Sequence, residues 1–156
     1  MWIPGEGTLN PGTGFLRPVS STTLTNPATA IRAITVGAYD SLTFSYADFS
    51  GRGPLTGESA SAVKPDLVAP GVNVSTISVG GGVAEFSGTS FATPFVTGSA
   101  ALLMEWGIVR GNDSYLYGEK VKAYLRRGAR SLPGIEKYPN EMVGYGRLCL
   151  AESIPD

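Results

Sequence analysis

The triplet Gly88-Thr89-Ser90 opens a run of small and apolar residues in the stretch FSGTSFATPFVTGSAALLMEWG, Phe86 to Gly107. A serine hydroxyl attacks a carbonyl only when a base takes its proton and hydrogen-bond donors receive the charge that develops on the oxygen. The second requirement is met locally if a helix starts here. Amides of a first helical turn have no intrahelical acceptor and lie at the positive end of the dipole, so the Ser90 N–H is a ready oxyanion donor. Gly88 lets a substrate backbone come close, and Thr89 can cap the helix or turn its hydroxyl to the same oxyanion. Pro94 has no N–H for the Ser90 carbonyl, which makes the helix start irregular. No base stands ready: the 156 residues contain no histidine. Serine and threonine before a buried helix are also ordinary N-caps, and the spacing alone leaves that reading open.

Other side chains substitute poorly for the missing base. Ser61 and Lys64 stand at a Ser-x-x-Lys spacing, but Pro65 disfavours helix at Lys64, and without a helix the two side chains need not face each other. Asp40, Asp48, Asp66 and Asp113 are isolated carboxylates, and Asp66 in KPDLVAP reads as a turn or strand-start residue. Glu85 is near Ser90 in sequence, but a carboxylate at a strand-to-loop junction reads as solvated or substrate-facing. Trp2, Trp106, Tyr115, Tyr117, Tyr124 and Tyr145 form no stacking stripe and read as core or half-exposed positions.

The elements that must position Ser90 follow from the pattern. Ile31 to Val36 is a β-branched run closed by Gly37, a buried-strand signal. LTFSYADFS reads as an exposed strand or loop, and GRGPLTGESASAVKP as loop. DLVAPGVNVSTI predicts two short strands broken by Pro70-Gly71, and Val83 to Phe86 a third after three glycines. A helix is predicted from about Thr89 to Trp106, ended by Gly107, with Ala92, Val96, Ser99, Ala100, Leu103 and Met104 on one face. Phe95, Leu102 and Trp106 make its other sides apolar, which predicts a helix buried all round. A second helix is predicted from about Ser114 to Gly128, with Leu116, Val121, Tyr124 and Leu125 inward and Lys120, Lys122, Arg126 and Arg127 on the wet side. Residues 1–28 are rich in turns and read as a linker or the end of an inserted element, leaving 29–156 as the folded part.

Composition narrows the function. Twelve basic and 13 acidic residues give a formal net charge of -1 with no basic run to follow a phosphate backbone, so nucleic acid is not an expected partner. The single cysteine, Cys149, permits no internal disulfide, and the lack of histidine removes the commonest metal ligand; neither metal nor cofactor is expected. The N-terminus has no secretory-signal pattern. The most apolar stretch, Phe91 to Trp106, is short for a membrane span and carries Thr93, Thr97, Ser99 and Glu105, so no membrane contact is expected.

GTSFATPFVTGSAALL resembles the active-serine signature G-T-S-x-A-x-P-x-V-x-G-x-A-A-L-L of the subtilisin-like serine peptidases, the subtilases, matching at Gly88, Thr89, Ser90, Ala92, Pro94, Val96, Gly98 and Ala100 to Leu103. AITVGAYD is similar to the family's I-x-V-G-A strand, KPDLVAPGVNV to its K-P-D-x-x-A-P-G-x-x-V element, and VGYGRLCL to the V-G-Y-G-x-L ending of such domains. Within the family, MEWGIVRGND and VKAYLRRGAR look like the bacterial branch that holds the clostridial spore-germination proteases. The resemblance implies an α/β fold: the C-terminal portion of a three-layer sandwich with a mostly parallel sheet and a buried serine helix. It further implies that Ser90 is the nucleophile, with Gly88 and Thr89 supporting the oxyanion site.

One departure is large. Subtilases take their catalytic aspartate and histidine, and an oxyanion asparagine, from sequence before the serine, and this chain has no histidine and no A-A-G-N element. In α/β-hydrolases the histidine follows the serine, and none follows Ser90, so that rival fails. The expected function is therefore a segment of a serine endopeptidase acting on peptide or protein substrates in its parent protein, and inactive by itself. The rivals are a pseudoprotease serving as an interaction or regulatory module, a structural domain in which Ser90 is only a cap, and half of a split enzyme. An opened sheet edge predicts self-association. Substrate preference and compartment have no signal in these residues.

Overall fold

The computed structural model describes residues 7–54 and 63–155. Strand β1, Val36–Tyr39, pairs in parallel with β2, Leu67–Pro70, in the register Val36↔Leu67 through Tyr39↔Pro70. Both faces are covered, as a parallel pair requires: Ala38, Leu67 and Ala69 point one way and Tyr39 and Val68 the other, all buried. The sheet widens beyond β2, where the Val68 N–H donates to Gly146 O at 2.9 Å and the Leu148 N–H to Val68 O at 2.8 Å. Arg147 then bridges antiparallel to Arg130. A separate antiparallel hairpin joins β3, Val74–Ile77, to β4, Val83–Phe86, through Gly80, Gly81 and Gly82, all at positive φ.

The first strand starts later than its sequence signal. Ile31 is 69% exposed, and Gly37 lies inside β1 instead of closing it. A Cβ at Gly37 would stand 2.9 Å from both Ser50 Oγ and Val68 Cγ1, so the glycine serves close packing within the strand. Residues 41–50 form a loop, held to β1 by an isolated bridge between Tyr46 and Tyr39.

Helix α1, Thr89–Met104, lies on β1 and β2. The 3.6-residue period aims Ala92, Val96, Ser99 and Leu103 at the sheet, and all four are buried. The rest of the expected picture fails: Phe95, Leu102 and Met104 are 43%, 52% and 43% exposed. The helix is buried on its sheet side only, because the described residues put β1, β2 and the next helix against that side. Nor does Gly107 end it. After Met104 the chain continues as a π-helical turn, Glu105–Val109, with Gly107 buried inside it. A Cβ there would meet Leu116 Cδ2 at 2.7 Å, so close approach, not capping, requires the glycine.

Helix α2, Gly118–Arg127, begins after the predicted start, with Leu116 entering the core ahead of it. Its wet side is also misplaced: Lys122 is buried and Arg126 largely so, for a reason that the site explains. A short α3, Leu150–Ser153, closes over Gly128. Leu67, Leu103, Val121 and Leu125 centre the core between sheet and helices, while Leu132 and Val143 cover Tyr39 and Val68 on the opposite face.

Gly144 tests how tightly that second face is closed. It sits at φ 57, and a Cβ would lie 2.1 Å from the Pro65 carbonyl oxygen. Gly144→Ala is expected to destabilise the fold by about 1–3 kcal/mol, the usual cost of a strained backbone position, measured as a lowered urea midpoint with an unchanged slope.

Candidate active site

Ser90 is the second residue of α1. The N-cap is Gly88 at φ 154, ψ 156, with no side-chain capping hydrogen bond, a backbone region that is essentially glycine's alone. Neither Thr89 nor Ser90 caps the helix, which removes the purely capping reading of Ser90. Its side chain is exposed, and among the described residues its hydroxyl has no hydrogen-bond partner. Among the described residues the Thr89 and Ser90 amides donate to no backbone carbonyl, whereas those of Phe91 and Ala92 are spent on Gly88 O at 3.0 and 3.3 Å. A free hydroxyl thus stands beside free amides at the positive end of a 16-residue helix. Pro94 lies within the helix, as the sequence requires, and supplies no N–H to the Ser90 carbonyl.

The turn is held from both ends. Phe86, at the end of β4, stacks on Phe91 at 5.2 Å between ring centroids and 15° between planes. From below, the Gly88 N–H donates to Gly71 O at 2.8 Å. A Cβ on Gly71 would press Ala38 Cβ at 2.7 Å and Gly88 O at 3.0 Å, so this glycine lets the end of β2 reach the serine turn. Thr89 is half-buried, and its carbonyl accepts the Thr93 hydroxyl at 2.9 Å.

The alternative bases do not gather at Ser90. Ser61 lies outside the described residues, and the Lys64 ammonium is buried and committed to Ala33 O, Thr35 Oγ1 and Asp66 Oδ2 at 2.6, 3.0 and 2.8 Å. Asp40 closes its own turn, accepting the Leu42 N–H at 2.8 Å, and that hydrogen bond holds its carboxyl below the ordinary value. Asp113 is taken up by Lys120 and by the Tyr124 hydroxyl, which also keep its carboxyl low. Glu85 is exposed on β4.

Asp66 is the largest feature that pattern reading missed. It does precede a strand, as expected, but it is fully buried and collects three cations. Lys64 reaches Oδ2 at 2.8 Å, Lys122 reaches Oδ1 at 3.0 Å, and Arg126 Nε donates to Oδ1 at 2.9 Å. The Thr35 N–H donates to Oδ2 at 2.6 Å. Burial pushes the Asp66 carboxyl up, but the hydrogen bonds of Lys64, the Thr35 amide and Lys122, with the charge of Arg126, outweigh it and hold the carboxyl below its ordinary value. Burial lowers the Lys122 ammonium despite its contact with Asp66. These charges tie α2 to the start of β2. They organise the sheet that carries α1, and the carboxylate has no lone pair left for acid-base work.

Among the described residues no group of three or more His, Cys, Asp or Glu could hold a metal ion. An exposed serine, without a hydrogen-bond partner among the described residues, thus heads a helix packed on the parallel strands of an α/β fold. The model of the Subtilase family matches residues 12–146, and the chain belongs to that family. It is 37% identical over 131 residues to the membrane-bound transcription factor site-1 protease of Mus musculus, a match that covers 82% of this chain and 12% of that protein. The solved CspB protease of Clostridium perfringens is 46% identical and superposes with a TM-score of 0.85 over 94% of this chain and 30% of its own. The prenylagaramide maturation protease PagA is 31% identical with a TM-score of 0.66, over 82% of this chain and 43% of its own. The matches therefore span less than half the length of each of these relatives. Both the subtilase resemblance and its clostridial leaning agree with these matches.

Proposed function

We propose that this chain is the serine-bearing segment of a subtilisin-like endopeptidase, with Ser90 as the residue acylated during peptide-bond hydrolysis and its acid-base partners outside these residues. The observation that carries the reading is the state of Ser90: an exposed hydroxyl that, among the described residues, has no partner, beside two amides that donate to no backbone carbonyl there, after an N-cap conformation that is essentially glycine's alone. In the assembled site an upstream histidine takes the Ser90 proton as Oγ bonds to the scissile carbonyl carbon, and an upstream aspartate orients that histidine. The carbonyl electron pair moves to oxygen, which the Ser90 N–H and an upstream asparagine hold; Thr89 and Gly88 shape that pocket. Histidine then protonates the leaving amine, and water repeats the sequence to release the acid. The exposed apolar residues of α1, Phe95, Leu102 and Met104, are consistent with a helix that other parts of such a domain cover.

Alone, the chain has no histidine to activate Ser90 and is expected to hydrolyse nothing by this route. The test is labelling with a fluorophosphonate probe, followed by peptide mapping. Expressed together with the reading frame that precedes it, the protein is expected to label at Ser90, and the isolated chain is not. A folded, complete protein that carries the upstream histidine, aspartate and asparagine yet stays unlabelled would sink the reading. The pseudoprotease alternative predicts that the preceding frame lacks those elements.

A further inference from the structure

Gly88 holds a backbone conformation that persists only where its surroundings over-determine it, and the residue before it is fastened separately. The Asn73 N–H donates to Ser87 Oγ at 2.9 Å, and the Ser87 hydroxyl donates to Asn73 Oδ1 at 3.3 Å. Asn73 itself sits at φ 50, in the left-handed region that asparagine tolerates better than most residues. Two residues earlier, Gly71 O accepts the Gly88 N–H. The turn between β2 and β3 therefore grips consecutive residues of the segment leading into Ser90: Ser87 through its hydroxyl, bonded to both the backbone amide and the side chain of Asn73, and Gly88 through its backbone. Neither Ser87 nor Asn73 belongs to the nucleophile or to the oxyanion donors, and both are exposed.

We infer that Asn73 and Ser87 are positioning residues: their paired hydrogen bonds hold Gly88 in its glycine-only conformation and so fix where the Ser90 hydroxyl and amide point. In its catalytic consequence the inference rests on the reading of Ser90 as nucleophile; the staple itself does not. Small displacements of a nucleophile reduce turnover far more than they reduce binding. Ser87→Ala and Asn73→Ala, in the protein expressed with its preceding reading frame, are each expected to lower kcat by about 3- to 30-fold with KM unchanged. Ser87→Thr, which keeps the hydroxyl, is expected to restore most of the loss. Because Ser87→Ala removes both bonds and Asn73→Ala only the longer one, the double variant is expected to be no slower than Ser87→Ala alone.

A second readout does not depend on activity. In the isolated chain, Ser87→Ala is expected to speed hydrogen exchange at the Gly88 amide by about tenfold or more, while core amides such as that of Val68 keep their protection. Unchanged exchange at Gly88 overturns the staple whatever the enzyme does. Accelerated exchange in a protein that never labels at Ser90 upholds the staple and removes the peptidase reading instead. A KM change without a kcat change, or loss of kcat that Ser87→Thr fails to rescue, places Ser87 against substrate and overturns the positioning role.

Discussion

Asp66→Asn is expected to destabilise this fold by about 3–5 kcal/mol, the range found when one partner of a buried charge cluster is removed. The substitution keeps the shape and leaves Lys64, Lys122 and Arg126 facing one another without an anion. Against a whole-domain stability of about 5–15 kcal/mol, that loss removes a large fraction of what holds the fold. Circular dichroism in urea measures it directly. Lys122→Met is expected to cost distinctly less, because Lys64 and Arg126 still neutralise the carboxylate. Equal losses would mean that packing, not charge, governs the site. Acid repeats the experiment without mutation. Asp66 titrates below its ordinary value of 3.8 in the folded chain, so its contribution is fully present above that value and disappears as pH falls through the lower, folded one. Asp66→Asn should flatten that acid limb of the stability curve.

Ser90→Ala is the complementary case, with a very large effect on activity and almost none on stability. On the proposed reading, in which sequence outside these residues supplies the histidine, kcat of the assembled enzyme is expected to fall on the order of 10^6-fold, the magnitude for removal of the nucleophile in subtilisin. Fluorophosphonate labelling disappears with it. Stability, in contrast, is expected to stay within about 0.5 kcal/mol, as for an ordinary surface substitution, because Ser90 does not cap the helix and its hydroxyl has no hydrogen-bond partner among the described residues. A helix cap would instead have cost about 1 kcal/mol. Unfolding and labelling measured on the same variant separate the two roles that its sequence position leaves open.

Local punctuation was readable where it was strong. Pro70-Gly71 and the three glycines before Val83 bound β2, β3 and β4 where the sequence predicts them. The spacing of Ala92, Val96, Ser99 and Leu103 marked the inward side of α1. Glycine misled twice, at Gly37 and Gly107, for one reason. Each is required by a side chain arriving from elsewhere, Val68 and Leu116, and a break signal and a close-packing signal look alike in one dimension. The basic face of α2 misled for a longer-range reason. Lys122 and Arg126 have a solvent-facing pattern by helical period, but their anion is Asp66, 60 positions away from Arg126. Of the candidate site, Ser90, Thr89 and Gly88 were singled out by the family motif, since their residue types alone left capping open; that Gly88 caps the helix, and that Asn73 and Ser87 grip it, depends on torsions and contacts between strands.

The placement of Asp66 also sets the order in which this chain can fold. Its partners are drawn from far apart: Thr35 lies 31 positions before it, and Lys122, which also binds the Ile31 carbonyl, lies 91 positions beyond that residue. The entropy of closing those loops must be met before the contacts return anything, which places the parallel pair late on the folding path. Helix α1, with Pro94 and Gly98 inside it, is too short and too poor in helix formers to stand without that floor, so Val96 and Leu103 are expected to stay in water until the pair forms. During that interval the segment is a sticky apolar stretch. Refolding yield should therefore fall as protein concentration rises, and the delay is governed by the meeting of distant charges around a single carboxylate.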